Sequence, residues 1–147
     1  MAIVDLAVAS DEASSVPLSA IAERQQISLA YLEQLFAKLR RAGLVDSERG
    51  RGGGYRLARA ASTITVAEVM TAVAENTDMT RCGGEAGAPC LSGKRCMTHK
   101  LWEALGHHID QFLASITLQQ LVDGDIGRRV HAAMAPQVVF TGGIVAR

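Results

Sequence analysis

Cys82, Cys90, Cys96 and His99 bring three thiols and one imidazole into the stretch 82–99, enough donors to complete a tetrahedral set around a metal. The three cysteines fall where hydrophobic periodicity is lost, between Asn76 and Thr98, and not on an apolar stripe as core thiols would. Gly83, Gly84, Gly87 and Gly93 let that backbone fold closely round a small inorganic object. Arg81, Lys94, Arg95 and Lys100 lie alongside and offset the negative charge that thiolates bring. Seven residues separate the first two cysteines and five the last two. Zinc pairs are usually spaced two to four residues apart. A 2Fe–2S cluster sets one ligand pair on each of two irons and tolerates longer gaps. On spacing alone a 2Fe–2S cluster, a zinc ion and unliganded redox-reactive cysteines all remain open. His107, His108 and His131 are expected as surface or packing side chains.

A second concentration of chemistry is electrostatic. Between Lys38 and Arg59 stand Lys38, Arg40, Arg41, Arg49, Arg51, Arg56 and Arg59, against Asp46 and Glu48. So local a surplus is either a solvated face or the footprint of an anion.

The elements that must carry these residues follow from pattern. Ala2 to Ala9 is an apolar helical run, and Pro17-Leu18-Ser19 opens a short helix that turns Ile21 and Ala22 inward. Ser28 is placed to cap the next helix, in which Leu32, Leu35, Phe36 and Leu39 form the inner stripe and Gly43 the stop. Ala30, Tyr31, Glu33, Gln34, Lys38 and Arg41 fall on its outer face. Two short helices with a tight turn make a helix-turn-helix. Leu44 to Glu48 and Tyr55 to Leu57, joined by the glycine-rich 49–54 connection, read as a hairpin wing. No Lys-Ser/Thr pair follows those glycines, which excludes a phosphate-cradling P-loop. Thr65-x-x-Glu68 is a capping box with Ile64 and Val69 as its staple, and Val66, Val69, Met70 and Val73 continue the stripe. Leu101, Trp102, Leu105, Ile109, Phe112, Leu113 and Ile116 mark a long amphipathic helix without an evident intrachain partner, suited to pairing with its own copy. Thr117-x-x-Gln120 restarts a short helix that stops at Gly124. The fold class is therefore mainly α with a small β-hairpin wing. Residues 1–60 form the winged helix-turn-helix, 61–122 the connecting helix, cysteine loop and dimerisation helix, and 123–147 a tail expected to be mobile.

Composition narrows the class. The chain has 147 residues, 48% of them hydrophobic, 20% charged and 4% aromatic, so a core of aliphatic side chains is affordable and wholesale disorder is excluded. A formal net charge of zero excludes a globally basic nucleic-acid coat but not a local basic patch. No apolar run reaches the ~18 residues of a membrane span and no signal peptide opens the chain. The expectation is a soluble cytoplasmic protein without a disulfide framework. No Ser/His/Asp set or paired acidic motif stands out, so an enzyme is not expected.

Several motifs coincide. Ile27-Ser28-Leu29-Ala30-Tyr31-Leu32-Glu33-Gln34-Leu35-Phe36, Leu39-Arg40-Arg41-Ala42-Gly43-Leu44-Val45 and Arg49-Gly50-Arg51-Gly52-Gly53-Gly54-Tyr55 strongly resemble the IscR family of iron–sulfur cluster regulators. The order Cys82, Cys90, Cys96, His99 and the following Leu101-Trp102 extend the resemblance to about Val122. It implies a winged helix with a long dimerisation helix, and a 2Fe–2S cluster held by the three cysteines and His99. It further implies a homodimer on double-stranded DNA operators, supplied with its cluster by the iron–sulfur assembly machinery, mainly repressing biogenesis genes. The family usually carries a basic stretch before the first helix. This chain begins inside that helix, so its start is expected to fall short; the Cys82–Cys90 gap is also longer than usual.

On this reading the helix from Ser28 to Ala42 enters the major groove, and the wing reaches a minor groove or its phosphates. The expected contacts are Ser28, Ala30, Tyr31, Glu33, Gln34, Lys38, Arg49, Arg51 and Tyr55, with Arg49 the candidate for a base or narrow groove. Glu33 is unusual there, since a carboxylate accepts from cytosine N4 but repels guanine acceptors and phosphates. In the family, such a glutamate helps separate cluster-dependent from cluster-independent sites. Two alternatives use the same residues: a related regulator sensing nitric oxide, oxidants or iron, and a zinc or iron–sulfur protein without DNA binding. The basic wing argues against the last.

Overall fold

A computed structural model of the chain describes residues 1–9, 15–50, 53–74 and 96–126. Helix α1 (Ala2–Ala9) buries Ile3 and Leu6, and α2 (Leu18–Gln25) buries Leu18, Ile21 and Ala22. Asp5 ties the two together by accepting from the Arg24 guanidinium at 3.0 Å. The chain turns at Gln26, a non-glycine residue held at φ 53°, with the Ile27 N–H donating to the Ala22 carbonyl at 3.0 Å. Ser28 then starts α3 (Leu29–Arg41), its Oγ accepting from the Tyr31 N–H at 3.3 Å. Leu32, Phe36 and Leu39 are buried along α3, while Leu35, expected in the same stripe, is half-buried. At the far end Gly43 takes φ 70°. The Gly43 and Leu44 N–H groups donate to the Arg40 and Leu39 carbonyls, each at 3.0 Å, the paired bonds of a Schellman end.

The hairpin wing consists of β1 (Val45–Glu48) and β2 (Gly54–Leu57), antiparallel with Val45 opposite Leu57 and Glu48 opposite Gly54. A rung on the other edge of β2 was not anticipated. Val16, just before α2, exchanges two 2.8 Å backbone hydrogen bonds with Tyr55. Gly54 permits that approach, because a Cβ there would overlap the Val16 carbonyl. On the inner side the Tyr55 ring meets Phe36 edge-on, with centroids 5.1 Å apart and planes at 76°.

After a 3-10 turn at Ala61–Thr63, Thr65 and Glu68 form the expected capping box at the start of α4 (Val66–Val73), with Ile64 and Val69 both buried beside it. Helix α5 (His99–Ser115) is the longest among the described residues, and Thr117 and Gln120 box the start of α6 (Leu118–Val122). The starts of α4 and α6 are clamped together. The Val66 N–H donates to Ile116 at 2.8 Å, and the Leu118 N–H to Ile64 at 2.9 Å. Helix α4 packs on α3 and α5, and α6 on α1. One apolar cluster therefore runs from Ile3, Leu6 and Ile21 through Phe36 and Val45 to Ile64, Val69 and Leu118. That cluster crosses residue 60, where the sequence reading places a division. Most of the cysteine loop and the tail beyond 126 lie outside the described residues. Among those described, no helix is long and apolar enough to cross a membrane.

Candidate nucleic-acid interface and metal turn

The first two turns of α3 form the open face. Leu29, Ala30, Tyr31, Glu33 and Gln34 are exposed there, beside the helix N-terminus with its partial positive charge. Ser28 spends an Oγ lone pair on the cap, which leaves its O–H to donate outward. A groove separates this face from the wing, lined by Pro17, Leu29, Glu33, Arg40, Arg49 and Tyr55 among others. A helix presented in this way suits a major groove ~12 Å wide, with the wing on the flanking backbone.

The basic surplus is less free than its residue count suggests. Arg56 bridges Asp46 and Glu48 at 3.3 and 3.2 Å, so the wing's own carboxylates are neutralised across the hairpin. Arg59 pairs with Glu68. The Thr65 backbone N–H, and after it the Arg59 guanidinium, hold the Glu68 carboxyl below its ordinary range. Arg40 donates to Ser47 Oγ at 3.0 Å, which steadies it along the groove. Among the described residues nothing engages the side chains of Arg41 or Arg49, both exposed. Arg51 lies outside the described residues.

Two expected contacts sit differently from their sequence reading. Lys38, placed on the outer face by periodicity, is half-buried and donates from Nζ to the Val73 carbonyl at 2.9 Å. The Tyr55 ring is half-buried against Phe36, so it braces the wing on the core. Arg40 was missed as a groove residue. Its signal was available, since it follows Glu33 by two helical turns on one face.

Of the four proposed ligands, Cys96 and His99 are described, and Cys82 and Cys90 lie outside the described residues. Cys96 and His99 share one turn. The His99 N–H donates to the Cys96 carbonyl at 3.1 Å, and Cys96 Sγ lies 3.6 Å from Thr98 Oγ1. Cys96 is partly exposed, whereas His99, the first residue of α5, is 2% exposed. A thiol and a sheltered imidazole borne on one turn fit a half-set of metal ligands. No group of three potential metal ligands gathers among the described residues alone. Beyond this turn α5 leaves Leu101, Trp102, Leu105 and Phe112 between 40% and 63% exposed. Four large apolar side chains of one helix thus stand together on the surface.

Comparison with known proteins follows the same lines. The profile of the Rrf2 family, described as an iron-dependent transcriptional regulator, matches residues 1–124. The chain is 50% identical over 140 residues to the HTH-type transcriptional regulator IscR of Escherichia coli (strain K12 / DH10B), spanning 92% of this chain and 85% of that protein. Among solved structures, T. potens IscR is 37% identical with a TM-score of 0.62, over 92% of this chain and 85% of the other. CymR (YrzC), the global cysteine regulator of B. subtilis, is 30% identical with a TM-score of 0.67, over 82% and 87%. The winged helix, the open reading face and these relationships agree: the chain belongs to the Rrf2 family of iron-dependent transcriptional regulators.

Proposed function

We propose that this transcriptional regulator holds a 2Fe–2S cluster on Cys82, Cys90, Cys96 and His99 and, as a homodimer in the cytoplasm, adjusts its grip on operator DNA to iron–sulfur status. Its genes would be those of iron–sulfur biogenesis, and its cluster donor the assembly machinery. The observation that carries this reading is the Cys96–His99 turn, which joins a thiol and a buried imidazole at the head of a helix packed on α4. When bound, the cluster supplies a centre whose presence depends on iron, sulfide and oxidants. The protein residues do the rest. Ordering at Cys96 and His99 fixes the start of α5; α5 rests on α4, and α4 on the reading helix α3. That repositions α3 and decides whether the Glu33 carboxylate is tolerated at the base edges or repelled by them.

The exposed α5 stripe supports the homodimer, which would set two α3 helices on half-sites about one helical turn of DNA apart. The wing supports DNA recognition through Arg49, which no described side chain neutralises. The deciding experiment is anaerobic purification, followed by a visible spectrum and assays of iron, sulfide and zinc. The expected result is a coloured protein with two irons and two sulfides per protomer, lost when Cys96 is replaced by Ala. A colourless, zinc-loaded protein would overturn the reading.

A further inference from the structure

Lys38 lies on α3 one turn after Gln34, yet its ammonium is turned onto the Val73 carbonyl at 2.9 Å in a half-buried contact. Val73 is the last residue of α4. The final carbonyls of a helix lack intrahelical partners, and a cation near them is favoured by the helix dipole. Ala74 follows in the left-handed region at φ 59°, a conformation that disfavours every side chain bearing a Cβ. The Ala74 N–H closes the turn on the Met70 and Thr71 carbonyls, but an alanine holds this conformation less readily than a glycine would. The end of α4 is thus held in part by a bond from the DNA-reading helix. In sequence Cys82 follows Ala74 by eight positions, and α4 also packs on α5, which the Cys96–His99 turn opens.

We propose that Lys38 is a positioning residue that couples the end of α4 to the reading helix, and not a phosphate contact. It transmits the state of the cysteine-bearing stretch to Glu33 and Gln34, one turn or so away on α3. The inference rests on the cluster reading for the origin of that change of state, but the tie itself is a property of the protein fold. If the α4 end moves, the Lys38 bond either drags α3 with it or breaks. In both cases the presentation of the reading face changes.

The test compares wild type, Lys38→Met and Lys38→Arg in titrations with one operator duplex, cluster-loaded and cluster-stripped, at several salt concentrations. Methionine keeps the apolar stem and removes the donor, whereas arginine keeps a donor. A coupled site typically shifts affinity about 5- to 150-fold between its two states. Lys38→Met is expected to shrink that ratio by roughly 2- to 30-fold with the salt slope unchanged. Lys38→Arg is expected to restore it. If Lys38→Met instead weakens both forms alike and lowers the salt slope by about one, Lys38 touches phosphate and the proposal fails. Amide exchange separates this outcome from failure of the cluster reading. A wild type without iron and sulfide refutes the cluster reading alone, and the tie is then judged on the last turn of α4. There, DNA should slow exchange of residues 71–74 in wild type and not in Lys38→Met; equal slowing in both overturns the tie.

Discussion

Replacing Gly54 by Ala tests whether the Val16 rung holds the wing in place. The added Cβ would overlap the Val16 carbonyl and the Pro17 nitrogen, both main-chain groups that cannot rotate away. To make room, Val16 must withdraw from Tyr55, and the two 2.8 Å hydrogen bonds between them are lost. At about 1 kcal/mol each that removes about 2 kcal/mol. The stiffer unfolded chain of the alanine variant returns roughly 0.4–1 kcal/mol. The net loss is about 1–2 kcal/mol. With a urea slope of about 2 kcal/mol per molar, the unfolding midpoint should fall by roughly 0.5–1 M at matched protein concentration. Operator affinity should fall as well, because β2 leads from the tip bearing Arg49 to the Tyr55 ring braced on Phe36. An unchanged midpoint with unchanged DNA affinity would refute the reasoning, since the chain would then have absorbed the Cβ without moving the wing.

Phe112→Asp or Leu105→Asp puts a carboxylate on the exposed α5 stripe, and sedimentation should then show monomers with operator affinity reduced. A variant that stayed dimeric would place the dimer seam elsewhere. Glu33→Ala should raise the affinity of the cluster-free protein for sites normally bound with the cluster. Equal weakening at every site in a fixed-salt titration would reduce Glu33 to a simple contact. Arg49→Ala should weaken operator binding by about 1–3 kcal/mol and random DNA by less, and parallel losses would mark Arg49 as a phosphate contact. Glu68 gives a pH dependence: because its folded carboxyl titrates below the ordinary 4.5, its contribution is present above that value and is lost as pH falls through the lower folded one. Urea midpoints taken from about pH 6 down to about pH 3 should therefore decline more steeply in wild type than in Glu68→Gln.

What was legible in the sequence was local. Ser28, Thr65-x-x-Glu68, Thr117-x-x-Gln120 and Gly43 signal helix ends through bonds to backbone groups within a few residues, and each end lies where expected. The hairpin was legible for the same reason, through its glycine-rich connection between two short strand-like segments. Two of the misreadings involve partners distant in the chain. Val16 pairs with Tyr55 across 39 positions of sequence without a periodic run to announce a strand. Lys38 has the helical phase of an exposed residue, but its long stem lets the ammonium reach the end of another helix. Gln26 and Ala74 occupy left-handed positions where a sequence reader looks for glycine. The candidate metal set was legible in donor type and order, whereas its spacing left the metal open until the resemblance narrowed it.

The clamp between the starts of α4 and α6 has an evolutionary consequence. Because Val66 is bonded to Ile116 and Leu118 to Ile64, the segment 66–116 starts and finishes at one doorway of the winged core, with α4 itself packed on that core. Closing a chain segment costs free energy that grows only with the logarithm of its length. A few residues added within a segment this long therefore cost on the order of a tenth of a kcal/mol. The interval between Cys82 and Cys90 lies inside that segment, where added residues cost little. Length variation between α4 and α5 can accumulate while the winged core keeps its register.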